Sequence, residues 1–86
     1  MFAKDGLKFD LSTSRYVGSR PNGNHLLFCT KKGRYFRLWN SHVNRVDGTT
    51  YVQWHTTDKV QAYRNVEDTL NPEELIAEFG DILSDA

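Results

Sequence analysis

A single cysteine, Cys29, excludes an internal disulfide framework, so the fold has to be held by packing. The three histidines, His25, His42 and His55, are far apart and have no second cysteine nearby, which argues against a four-ligand structural zinc site. No apolar run is long enough to cross a bilayer. The first ten residues already carry Lys4, Asp5 and Lys8, which is unlike a signal peptide. The expectation is a cytoplasmic protein in a reducing setting, with no metal, no cofactor and no membrane partner. The most informative absence is of acid. Residues 11–46 hold seven bases and no carboxylate.

That gap belongs to a larger polarity hidden by a net charge of zero. Residues 1–64 carry all 11 Lys and Arg against four acids, a net +7, and residues 65–86 carry seven acids and no base. Charge segregation of this kind bears on partners rather than on fold. The apolar supply is ample for 86 residues, with two Trp, four Tyr and five Phe in one domain spanning 1–86.

Turn signals arrive about every ten residues, the cadence of an antiparallel meander. Leu7, Phe9 and Leu11 alternate in a first strand over residues 6–11. Tyr16 to Ser19 form a short second one, followed by a tight turn at Asn22-Gly23. "HLLFCT" and "RYFRLWN" flank Lys31-Lys32-Gly33, which predicts a hairpin with a three-residue loop closed by a glycine bulge. Asp47-Gly48 marks another turn, Thr50 to His55 another strand, and Lys59 to Arg64 is expected to extend the meander. The period then changes. Asn71 can cap, Pro72 suits the first helical position, and Glu74 can complete a capping box. Leu75, Ile76, Phe79, Ile82 and Leu83 recur at helical spacing, predicting an acidic helix over 70–84 that weakens or ends at Gly80. The fold class expected is α+β: four to six antiparallel strands in a basic region over 1–64, with one C-terminal helix on one face.

Alternation sorts the strand residues into two sets. Phe36, Leu38, Val52, Trp54, Val60 and Ala62 form an apolar face, where the helix is expected to pack. Tyr35, Arg37, Trp39, Tyr51, Gln53, His55, Gln61 and Tyr63 form an aromatic and basic one. The candidate partner-binding residues are therefore Arg34, Tyr35, Arg37, Trp39, Tyr51, His55 and Tyr63, with Glu73, Glu74 and Glu78 on the helix as the alternative acidic face. Against these stands the plainer account that aromatics simply favour strands, and that helix and sheet charges neutralise one another.

No catalytic residue is expected. Cys29 sits in an apolar strand with no adjacent acid and reads as a small buried hydrophobe, and His55 beside "TTD" is sequence adjacency without geometry. "KGRYFRLW" departs from the aromatic RNA-recognition strand motif, with Arg34 in the aromatic slot and Tyr35 in the small one. Single-stranded nucleic acid nevertheless suits an acid-free, aromatic face. A charge-polarised domain suits docking on a protein or ribonucleoprotein complex, and a homodimer through a strand edge stays open.

"TKKGRYF" within residues 26–39, followed by "LNPEELIAEF" at 70–79, resembles small phage- and plasmid-encoded proteins that place a Thr-Lys-Lys-Gly-x-Tyr-Phe hairpin before an acidic C-terminal helix. That class includes inhibitors of bacterial defence systems, anti-CRISPR proteins among them. The resemblance implies a non-catalytic inhibitor or adaptor acting in a host-cell cytoplasm, for example by blocking a CRISPR-Cas effector. It assigns a role to no individual residue.

Overall fold

A computed structural model describes residues 2–21, 25–43 and 50–85, with the backbone alone for 40–43 and 50–52. The expected turns at Asn22-Gly23 and Asp47-Gly48 lie outside the described residues. The chain is α+β, and its centre is a four-stranded antiparallel meander in sequence order: β3 (Arg15–Ser19), β4 (His25–Cys29), β5 (Tyr35–Val43) and β6 (Thr50–Thr57). A separate hairpin precedes it, β1 (Phe2–Lys4) and β2 (Leu7–Phe9). Two helices follow, α1 (Lys59–Val66) and α2 (Pro72–Phe79). Among the described residues, no helix is long and apolar enough to cross a membrane.

The β4–β5 hairpin has the three-residue loop its sequence predicts. Gly33 takes φ +84°, its N–H reaches the Thr30 carbonyl at 2.9 Å, and Thr30 N–H bonds the Arg34 carbonyl at 2.8 Å. That geometry sets the register Cys29↔Tyr35, Leu27↔Arg37 and His25↔Trp39. The first strand is shorter than expected. Asp5 and Gly6 both take positive φ and turn the chain back, pairing Phe2 with Phe9. Leu7 stays exposed and Phe9 goes inside, and Leu11 leaves the strand because Asp10 accepts the Ser12 N–H and starts a short 3-10 turn there.

Two expectations are corrected. Lys59 to Arg64 is helix, not strand. The Asp58 carboxylate accepts the Gln61 N–H at 2.8 Å and caps it. Ala62 and Val66, four residues apart, are both fully buried, whereas Val60, on the supposed apolar face, is 47 % exposed. The alternation of Val60 and Ala62 is too short to define a period. The helices also pack on the opposite sheet face from the one expected. Leu27, Cys29 and Tyr35 form a core with Ala62, Val66 and Phe79, with Leu70 and Leu75 packed against it. The face bearing Phe36, Leu38 and Trp54 is covered instead by Phe2 and Phe9 of the N-terminal hairpin. Both outcomes have one cause: β4 and β5 are apolar on both sides and need two covers, a helical layer and a hairpin layer.

At α2 the capping box forms, with Glu74 N–H to Asn71 Oδ1 at 2.9 Å and Asn71 N–H to Glu74 Oε1 at 3.3 Å. The helix ends at Phe79 rather than running to 84. A Cβ on Gly80 would lie 2.5 Å from the Ile76 carbonyl oxygen, so the tight exit turn requires glycine there. Gly18 serves packing. It is buried, and a Cβ on it would press on Leu70 and Val66 at 3.1 and 3.2 Å, so its bareness lets the segment after α1 lie close on β3.

Candidate functional site

The two faces expected to compete for a partner meet each other inside the molecule. Tyr35 is 6 % exposed, its ring stacks on Phe79 with centroids 5.8 Å apart, and its hydroxyl donates to Glu78 Oε1 at 2.6 Å. Arg15 forks onto the same carboxylate at 2.6 and 2.9 Å. Tyr63 lies on α1, half-buried, edge-on to Phe79 at 5.6 Å. Tyr35, Tyr63 and Glu78 are therefore committed to holding α2 on the sheet. Glu73 and Glu74 are exposed in the first turn of α2. Arg34 is exposed in the β4–β5 loop, and the Tyr51 side chain lies outside the described residues.

This cluster makes stability depend on pH at both ends. The hydrogen-bonded Arg15 guanidinium, with help from the Tyr35 hydroxyl and against some burial, holds the Glu78 carboxyl below its ordinary 4.5. Burial, then the Glu78 carboxylate, pushes the Tyr35 phenol well above its ordinary 10.0, and burial also raises the Cys29 thiol from 9.0. A depressed acid contributes stability above its unfolded pKa and loses it as pH falls through the folded one. A raised phenol or thiol does the opposite: its contribution is complete below the unfolded value and lost as pH climbs past it. The melting temperature should hold a plateau, fall below about pH 4.5 as Glu78 protonates, and fall again above about pH 9–10. Tyr35→Phe should lose about 1 kcal/mol at neutral pH with the Glu78 bond, yet flatten most of the alkaline fall. Thermal melts of both proteins across pH check this, and an equally steep alkaline limb in the variant would overturn the assignment to Tyr35.

Arg37, Trp39 and His55 do come together, on the same face of the sheet at the edge of the helical cover, and three residues join them that the sequence reading did not single out. The β4–β5 register sets His25 against Trp39, with ring centroids 5.1 Å apart at 23°, and His55 stacks on the other side of Trp39 at 5.1 Å and 10°. The result is a three-ring stack running across β4, β5 and β6. The Arg37 guanidinium lies 5.4 Å from the Trp39 ring centre.

Arg37 also shares a partner with Arg20 at the end of β3. Arg20 Nε donates to Asn65 Oδ1 at 2.9 Å, and Arg37 donates to the same oxygen at 3.4 Å. The Asn65 amide nitrogen is bonded to the Gln61 carbonyl at 3.0 Å, which turns the oxygen toward the arginines. Two cations thus converge on one uncharged oxygen. Among the described residues the ion pairs are Arg15–Glu78 and Lys59–Asp81, and neither involves these two arginines. At an effective dielectric near 20, like unit charges several ångströms apart repel by roughly 2–3 kcal/mol. Burial and the nearby Arg20 accordingly lower the Arg37 pKa, and burial, Arg20 and Arg37 lower that of His25. Among the described residues, Arg37 Nε and His25 Nδ1 are buried without a hydrogen-bond partner.

Arg20, Arg37, Gln61 and Asn65, with Thr56, Thr57 and Asp58, line an open pocket of about 330 Å³. Its chemistry is that of an anion site: donors and positive charge in excess, partly shielded from water, beside an aromatic ledge. Among the described residues, no group of three or more His, Cys, Asp or Glu could hold a metal ion. Comparison with protein-family models, curated proteins and solved structures gives no match, so the reading of this site rests on its own geometry.

Proposed function

We propose that this chain is a non-catalytic binding protein that takes hold of single-stranded nucleic acid at Arg20, Arg37 and His55, with Asn65 positioning the two arginines. The observation that carries the proposal is the convergence of two arginines on one neutral oxygen beside a stack of rings. A phosphate relieves the repulsion between the guanidiniums. Both faces of Trp39 are already occupied by histidines, so an incoming base joins the stack at its exposed outer member, His55, rather than on Trp39. The site is thus narrower than the broad aromatic face read from alternation. Fluorescence anisotropy with a labelled single-stranded oligonucleotide tests it. Binding is expected at low salt, with log K falling against log salt with a slope of about −1.5 to −2 if two or three phosphates are neutralised. No binding at low ionic strength, or binding indifferent to salt, would overturn the proposal.

A second reading, the protein-binding inhibitor or adaptor, has its own observation. On α2, Ile76 is 64 % exposed beside the exposed Glu73, an apolar and acidic surface suited to a basic partner groove. It requires a captured protein whose binding is lost on Glu73→Lys with Ile76→Lys and is unaffected by changes at Arg20 or Arg37.

A further inference from the structure

The geometry points to a seat for a terminal phosphate monoester at Arg20 and Arg37, the two arginines that Asn65 positions, so that a single strand is held by its end and does not thread across the sheet. The inference rests on the single-strand reading above and adds which part of the strand is recognised.

The first argument is the shape of the face. Arg37 stands where the open part of the sheet stops. Two residues along β5 on the same side, Tyr35 is 6 % exposed beneath Phe79, and α1 lies across β3, β4 and β5. A strand whose base stacks on His55 and whose phosphate reaches Arg37 meets Gln61 and Asn65 of α1 as a wall. An adjoining pocket shares Thr56, Thr57 and Asp58 with this one, so a strand that ran on would have to pass the Asp58 carboxylate, whereas an end fills the pocket with the phosphate alone.

The second argument is charge. An internal phosphodiester carries one negative charge, whereas a terminal monoester carries about 1.5 to 2 at pH 7 and three strong acceptor oxygens. Two guanidiniums bridged by one neutral oxygen match the larger charge. Asp58 also lines the pocket, but its carboxylate is engaged by the Gln61 N–H at 2.8 Å and the residue is exposed, so water screens its repulsion of the ligand.

The test compares one short oligonucleotide sequence in three forms, with a 5′-monophosphate, with a 3′-monophosphate, or with hydroxyls at both ends, titrated against the full chain at low salt. One phosphorylated form should bind about tenfold or more tightly than the hydroxyl form. That preference should vanish in Arg20→Gln and in Arg37→Gln, two variants at different positions so that failure of one to fold leaves the other informative. Inorganic phosphate should compete only at concentrations far above the strand's dissociation constant. Equal binding of all three forms would overturn end recognition while leaving the single-strand reading standing, and no binding of any form would remove both. Displacement by inorganic phosphate at the strand's own dissociation constant, or tighter binding of a phosphoserine peptide than of the phosphorylated strand, would also overturn the inference.

Discussion

Phe79→Ala should destabilise the protein by about 3–5 kcal/mol, the range for removing a fully buried aromatic side chain whose cavity cannot collapse. Phe79 has no exposed surface, stacks on Tyr35 of the sheet at 5.8 Å and meets Tyr63 of α1 edge-on at 5.6 Å. One side chain therefore joins β5, α1 and α2. It also sits next to Glu78, so undocking α2 withdraws the acceptor from Tyr35 and Arg15 together. That ion pair adds little by itself, since the Arg15 side chain is 58 % exposed and water screens it. The sheet-to-helix contact depends on the aromatic cluster. Domains of this size are stable by only about 5–15 kcal/mol, so the loss should leave a substantial unfolded fraction at 37 °C. Ile76→Ala, three residues earlier on the same helix, is the control: at 64 % exposure it should change stability by no more than about 0.5 kcal/mol. Urea denaturation of both variants decides the matter, and a loss below 1 kcal/mol at Phe79 would mean that α2 is not docked as described.

Elements whose signals were local and redundant could be read from the sequence. The β4–β5 hairpin has a glycine at the one loop position needing positive φ and apolar runs on either side. The α2 start has cap, proline and returning glutamate within four residues. What could not be read was which cover goes on which face. With Leu27 and Cys29 pointing one way and Leu26 and Phe28 the other, β4 carries no net amphipathicity, and alternation cannot tell a helix-covered face from a hairpin-covered one. The misread α1 follows from the same limit. A window stopping at Arg64 fits either period, and extending it to Val66 restores the spacing that buries Ala62 and Val66 together. That error hid the site. Asn65 becomes a partner of Arg20 and Arg37 only once residues 59–66 are helical. His25, by contrast, could have been found: a three-residue loop at 31–33 forces His25 opposite Trp39.

Arg37→Glu should separate binding from stability, and the separation is what distinguishes a ligand site from a structural contact. In the protein as it stands, Arg37 lies near Arg20 with an amide oxygen between them and its pKa lowered by burial and by that neighbour. Introducing a carboxylate there replaces repulsion with attraction to Arg20. Against this stand the loss of the contact with Trp39, at about 0.5–1 kcal/mol, and of the packing of the arginine stem. The net expectation is a melting temperature unchanged or raised. The same substitution puts a negative charge where the phosphate must sit, and affinity for a single-stranded oligonucleotide at low salt should fall by about 100-fold or more. Arg34→Glu, in the exposed β4–β5 loop away from the pocket, should reduce affinity only about two- to threefold, through the general field of the basic region. Binding titrations paired with thermal melts check all three proteins. Retained affinity in the folded Arg37→Glu variant would remove Arg37 from the site, and a parallel fall of affinity and melting temperature would make it a structural residue. Tighter folding with lost capture is the signature of two like charges held together for something that binds between them.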